Sequence, residues 1–224
     1  MTANGELKGV SPESFSISKK HSRFYFADGN VVFRVENTLY RIHRYFFQRD
    51  SPVFEVMFSL PTPEGERPEG EDEEKPIQLG GIDCRDFDRL LSLMYPKDFT
   101  NPYEFSTVEG WISILKLTTH WDFISIRNLA VKQLSSIGSS ADLVMLGHQY
   151  GVSQWLLPEY MELCVRDEPL TLEEGRKLGV DMMVTINQIR NQIRYRSNLN
   201  RHKEAIVDLV RSVLSLPIDE LRSA

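Results

Sequence analysis

Residues 39–60, LYRIHRYFFQRDSPVFEVMFSL, change character at their one histidine. Up to Ile42 the chain reads as the last of several short strands, and from His43 the apolar positions follow a helical spacing. Tyr45, Phe46 and Phe47 crowd one short helix. Asp50-Ser51-Pro52 breaks it, with Ser51 as N-cap and Pro52 at the first helical position of a second helix carrying Val53, Phe54, Met57 and Phe58. A metal centre at His43 would need a second His or Cys at ligand spacing, and none stands there. His43 is therefore expected to anchor the strand-to-helix junction by hydrogen bonding, with its ring against Phe46 or Phe47.

Working outward toward the N-terminus, Phe24 and Phe26 mark an aromatic strand. Asp28-Gly29-Asn30 reads as a turn, Val31–Val35 as a β-branched strand, Asn37 as a turn and the run to Ile42 as another strand, so this is a hairpin region. Residues 1–20 are polar, with Gly5, Gly9 and Pro12, and read as a flexible tail. On the other side, residues 61–76, PTPEGERPEGEDEEKP, hold four prolines, two glycines and seven acidic groups. Such a composition cannot join a core and predicts a solvated, disordered loop, with an acidic docking segment for a basic partner as the sharper reading. Ile77 and Leu79 then form a short strand closed by Gly80-Gly81.

From residue 83 the pattern is helical. Phe87, Leu90, Leu91 and Met94 recur at i, i+3, i+4 and i+7, and Pro96 ends that helix. Ser106-Thr107-Val108-Glu109 reads as a capping box for a helix with Val108, Trp111, Ile112 and Leu115 on one face. Helices follow over about 123–137, 140–150 and 153–165, then a short one opened by the capping box Thr171–Glu174 and stopped near Gly179. Ile186, Ile189 and Ile193, then Ile206, Leu209, Val210 and Val213, predict two more. Strands first and helices afterwards make the fold class α+β.

Composition sets the limits on function. With 41% apolar and 26% charged residues in 224, the chain can fold a substantial core. A net charge of −6 gives no general attraction to nucleic acid or anionic membranes. The two cysteines, Cys84 and Cys164, fit buried thiols in a reducing compartment, and no signal peptide or apolar span of membrane length is expected, which points to cytoplasm or nucleus. Trp111, Trp121 and Trp155 are read as core. Among basic residues, Arg190, Arg194, Arg196, Arg201 and Lys203 cluster late in the chain. Arg190 and Arg194 are read as a solvated stripe opposite the isoleucines, with nucleic-acid contact or a clasp on the acidic loop at 64–74 as alternatives.

The run YRIHRYFFQRDSPVFEVMF resembles the BTB/POZ signature, and the opening DGNVVFRVENTLYRIHRYF looks most like the branch of the family expanded in fungi. Tyr40, His43, Arg44, Phe46, Phe47, Ser51, Phe54, Met57 and Phe58 each fall on a family position. The resemblance covers roughly residues 24–135. It implies a small sheet of three to five strands flanked by a helical bundle over residues 21–135, followed by an all-α extension over 136–224. It further implies a protein-interaction module that pairs as a two-fold dimer, with Phe24 and Phe26 as interface candidates, and that holds a cullin scaffold while presenting substrates for ubiquitin transfer. A transcriptional co-regulator is the softer version. Leu60 with Glu71, Asp72, Glu73 and Glu74 are the candidate docking residues. Two departures stand out: Asp28 lies two positions before the family's strand-opening aspartate, where Asn30 stands, which leaves that aspartate's polar pocket unformed in this reading. Thr62 replaces the glutamate expected after Leu60 in cullin-binding members.

No catalytic residue, cofactor or metal ligand is expected. A hydrolase would have to use Ser51 beside Asp50, or Cys164 with His148. An N-cap hydroxyl is already engaged, Cys164 lies in an apolar helical pattern, and neither a nucleophile elbow nor a phosphate-binding glycine loop is present.

Overall fold

The computed structural model describes residues 18–195 and 202–216. The expected tail up to residue 17, and Arg196 and Arg201, lie outside the described residues. Four strands, β1 (Lys19–Tyr25), β2 (Val31–Val35), β3 (Thr38–Ile42) and β4 (Ile77–Gln78), form one mixed sheet in the order β1-β3-β2-β4. β2 and β3 are the antiparallel hairpin, closed at Val35 and Thr38 with Glu36 in the left-handed region (φ 51°). β1 does not pair with β2 across the Asp28-Gly29 turn. It crosses to run parallel to β3, and β4 runs parallel to β2. The β1 register shifts between Lys20 and Tyr25, where the His21 Nδ1 accepts from the backbone N–H groups of Arg23 (3.1 Å) and Phe24 (2.9 Å).

The helices are α1 (Arg44–Asp50), α2 (Pro52–Ser59), α3 (Cys84–Met94), α4 (Val108–His120), α5 (Ile124–Ile137), α6 (Ser140–Tyr150), α7 (Ser153–Val165), α8 (Leu172–Leu178), α9 (Val180–Tyr195) and α10 (Lys203–Leu214). Ser51 caps α2 as expected, its Oγ accepting from the Phe54 N–H at 3.2 Å. It also donates to the Trp121 carbonyl at 2.5 Å, so one buried hydroxyl ties the α1–α2 break to the end of α4. Thr107 caps α4 through the Gly110 N–H, without a capping box. Capping boxes close on α6 (Ser139 and Asp142) and α8 (Thr171 and Glu174).

The first core is built of aromatic rings. Phe33 of β2 packs on Phe47, Phe54 and Phe87 at centroid distances of 5.2, 5.8 and 6.0 Å, and Trp121 and Phe123 close the cluster from the α4–α5 side. Each such ring, fully removed from water, contributes about 1.5–3 kcal/mol. A second core of Leu156, Tyr160, Leu163, Ile186, Ile189 and Val210 joins α7, α9 and α10. The two meet along α6 and α7, where Leu143 and Trp155 face the first core and Val144 and Leu156 the second.

Candidate functional site

Residues of the quoted stretch supply the frame on which the α1–α2 surface stands. Tyr40 is fully buried; its hydroxyl donates to Asp88 Oδ1 at 2.9 Å, and the His21 ring stacks on it at 4.7 Å. The His43 backbone N–H donates to the Tyr95 hydroxyl at 3.1 Å, and its Nδ1 lies at the same distance from that oxygen. Its Nε2 meets the Asp28 carboxylate at 3.3 Å, a contact that holds the Asp28 pKa below its usual value. The ring sits against Phe26 (5.3 Å) and edge-on to Phe46 (6.5 Å). His43 is thus the expected anchor, with Phe46 as one neighbour and with Phe26 and Tyr95 replacing Phe47.

Asn30, just before β2, accepts at its Oδ1 from the Arg44 N–H at 2.8 Å, which satisfies an open donor in the first turn of α1. The Arg44 guanidinium lies over the Phe58 ring (4.4 Å) and donates to the Phe58 carbonyl (2.7 Å), tying the start of α1 to the end of α2. Phe47 and Phe54 are buried, while Phe46, Met57 and Phe58 are half-buried. These contacts leave one side of α2 uncovered. Val53, Val56 and Leu60, at i, i+3 and i+7, are 45%, 60% and 66% exposed, and Tyr45 on α1 is 62% exposed. The spacing of that stripe was visible in the sequence, but whether a core covered it was not.

Three expectations need correction. Phe24 offers no interface: it is 2% exposed, packed in the core beside His21 and Tyr95. Only Phe26 of that pair keeps partial exposure.

The 61–76 segment is not a free acidic ribbon. The Gly70 carbonyl accepts from the Val32 N–H and the Gly70 N–H donates to the Lys75 carbonyl (both 2.7 Å), Arg67 binds Asp72 (2.6 Å) and Glu74 (2.9 Å), and Lys75 binds Glu66 (2.9 Å). Glu73 is held by Lys20 (2.6 Å) and the Tyr25 hydroxyl. Of the four proposed docking carboxylates, Asp72, Glu73 and Glu74 are therefore engaged within the chain, and among the described residues Glu71 has no hydrogen bond or ion pair. A groove of about 430 Å³ separates this lobe from α2, lined among others by Met57, Phe58, Leu60 and Pro61.

Arg190 is not on a solvated stripe. It lies four residues after Ile186, on the isoleucine face, and is 3% exposed. Its guanidinium donates to the carbonyls of Leu163 (2.5 Å), Glu168 (2.7 Å) and Asp167 (3.4 Å), and Arg194 adds bonds to those of Arg166 (2.9 Å) and Asp167 (3.0 Å). Both arginines close the C-terminal end of α7, where unpaired carbonyls and the helix dipole favour cations. Neither reaches the acidic lobe.

The two nucleophile candidates occupy packed positions. Ser51 is 1% exposed and uses its hydroxyl twice, as donor to Trp121 and acceptor from Phe54. Cys164 is 1% exposed, and burial pushes its thiol up to about 12. His148 turns to the Tyr160 hydroxyl at 2.7 Å. Trp111, Trp121 and Trp155 are core residues, as expected. Among the described residues no cluster of three His, Cys, Asp or Glu side chains could hold a metal, and no helix is long and apolar enough to cross a membrane.

Sheet, aromatic core and His43 junction together build a domain with an exposed apolar stripe on α2. Residues 25–135 match the BTB/POZ domain family, and the chain carries a BTB/POZ domain, a protein-interaction module. A search of curated proteins finds no match to this chain.

Proposed function

We propose that the protein is a dimerising BTB adaptor whose two-fold contact uses the outer face of α1 and α2. The observation that carries this reading is the exposed apolar stripe of Val53, Val56 and Leu60 beside Tyr45. Its helix is apolar on both sides, an arrangement that a lone surface helix does not favour, and a self-complementary partner would remove the stripe from water. Phe26, half-buried at the His43 junction, extends the candidate contact. Light scattering on the full chain tests it. The expected mass is about twice the 25.9 kDa of one chain, and the double substitution Val53→Asp/Val56→Asp returns it to one. A wild-type chain that stays monomeric at micromolar concentration refutes the dimer.

The sharper form of the proposal is an adaptor that presents substrates to a cullin-type ubiquitin ligase. It is supported by the exposure of Leu60 at the step where cullin-binding members place an apolar side chain, and it meets a departure in Thr62. Titration with a purified cullin N-terminal domain decides it: saturable binding lost in Leu60→Asp supports the ligase role, and absence of binding leaves a scaffold or co-regulator. The α6–α10 extension is proposed as the region that captures a second partner.

A further inference from the structure

We infer that the groove between α2 and the 61–76 lobe is a docking site for a short extended peptide bearing a lysine or arginine next to apolar side chains. The inference rests on reading the domain as a protein-binding adaptor and is independent of dimerisation.

The groove is pre-formed. Met57, Phe58 and Ile77 line it together with Pro61, Pro63 and Pro68 of the lobe. A volume of about 430 Å³ falls among ligand pockets of about 300–1,000 Å³. A smaller cavity of about 180 Å³ continues it toward β2, sharing Arg44, Phe58, Pro68 and Glu69. The lobe is braced by the backbone bond from Val32 to Gly70 and by the Arg67 and Lys75 ion pairs. Gly70 permits the close seat: its φ is +82°, and a Cβ there would meet Ile77 Cδ1 at 2.7 Å. Proline-rich walls fixed in advance spare a ligand the cost of ordering them.

Charge decides what fits. Two of the cations lining the groove are paired with carboxylates, Arg67 with Asp72 and Glu74 and Lys75 with Glu66, while Arg44 bonds only neutral groups, the Phe58 carbonyl and Gln48, and keeps its charge. Glu69 and Glu71, both exposed at the continuation of the groove, have no hydrogen bond or ion pair among the described residues. These two carboxylates outnumber the one unpaired cation, Arg44, so the charge left over is negative on balance beside apolar side chains, and a cationic side chain flanked by apolar ones satisfies both.

The test uses the full-length chain on arrays of short random peptides in net-cationic, net-neutral and net-acidic sets of equal apolar content, followed by fluorescence anisotropy with the strongest peptide. The cationic set should be retained, and Glu69→Lys/Glu71→Lys should weaken the chosen peptide about tenfold or more. Glu64→Lys, on the same lobe but off the groove lining, should leave it within about twofold. No retention, preference for neutral or acidic peptides, wild-type binding by the double variant, or equal loss in Glu64→Lys each overturns the proposal. Light scattering on the same variants separates the two readings, since Glu69→Lys/Glu71→Lys should leave the oligomeric mass unchanged.

Discussion

Replacing Arg190 by methionine keeps a long apolar stem and removes the guanidinium that closes α7. Its two short bonds, to the Leu163 carbonyl (buried) and the Glu168 carbonyl (partly buried), are charge-assisted, at about 1.5–3 kcal/mol each. Against that stands the cost of burying the guanidinium, which pulls the Arg190 pKa below the usual arginine value and which methionine does not bear. The expected net loss is about 2–4 kcal/mol. Urea denaturation of the full chain, followed by tryptophan fluorescence, should show the midpoint falling. Hydrogen exchange should rise in α7 and α9 ahead of β2 and β3, because the arginine bridges elements of the second core. Arg190→Lys, a point charge without the fork, should lose an intermediate amount. Since the contact is buried, about 1 M salt should change the difference little. Stability within about 0.5 kcal/mol of wild type, or a loss that high salt erases, would mean that Arg190 behaves as a surface charge after all.

Ser51→Ala removes an N-cap and the bond to the Trp121 carbonyl together; a loss of about 2–3 kcal/mol, read as a Tm lowered by about 5–10 °C, is expected in calorimetry. Glu174 is held at a pKa of about 2, against 4.5 ordinarily, chiefly by Arg166 and then by the Thr171 N–H. Its folded pKa is depressed, so its contribution is complete above about 4.5 and disappears as pH falls toward 2. Glu174→Gln should thus be less stable than wild type at neutral pH and converge with it near pH 2 in denaturant titrations across that window. In a Cys84→Ser background, Cys164 should react with an aromatic disulfide reagent only as fast as the fold opens; reaction at the rate of a small free thiol would contradict its burial.

What could be read from the residues alone was local. The Ser51-Pro52 break, the capping box at Thr171 and the isoleucine periodicity of α9 each depend on neighbours within one turn, so the sequence carries them in full. The junction role of His43 was legible for the same reason, since a histidine without a second ligand at the end of a strand has few other tasks.

Long-range pairing was another matter. Phe24 and Phe26 look alike in the sequence, yet β1 crosses to lie parallel to β3 and buries the first while leaving the second half-open. The 61–76 carboxylates read as a repelling run, until the lobe folds back and brings Arg67, Lys75 and Lys20 within bonding distance of four of them. Arg190 is the instructive case. Its place on the isoleucine face follows from counting four residues on from Ile186, but no local rule says that the open carbonyl end of another helix waits there to receive a charge. Sequence determined most elements, several of their caps and the family of the domain, because those rest on contacts a few residues apart. Only the tertiary structure decided which rings and charges remain free for a partner, because exposure is set by which distant segment comes to cover them.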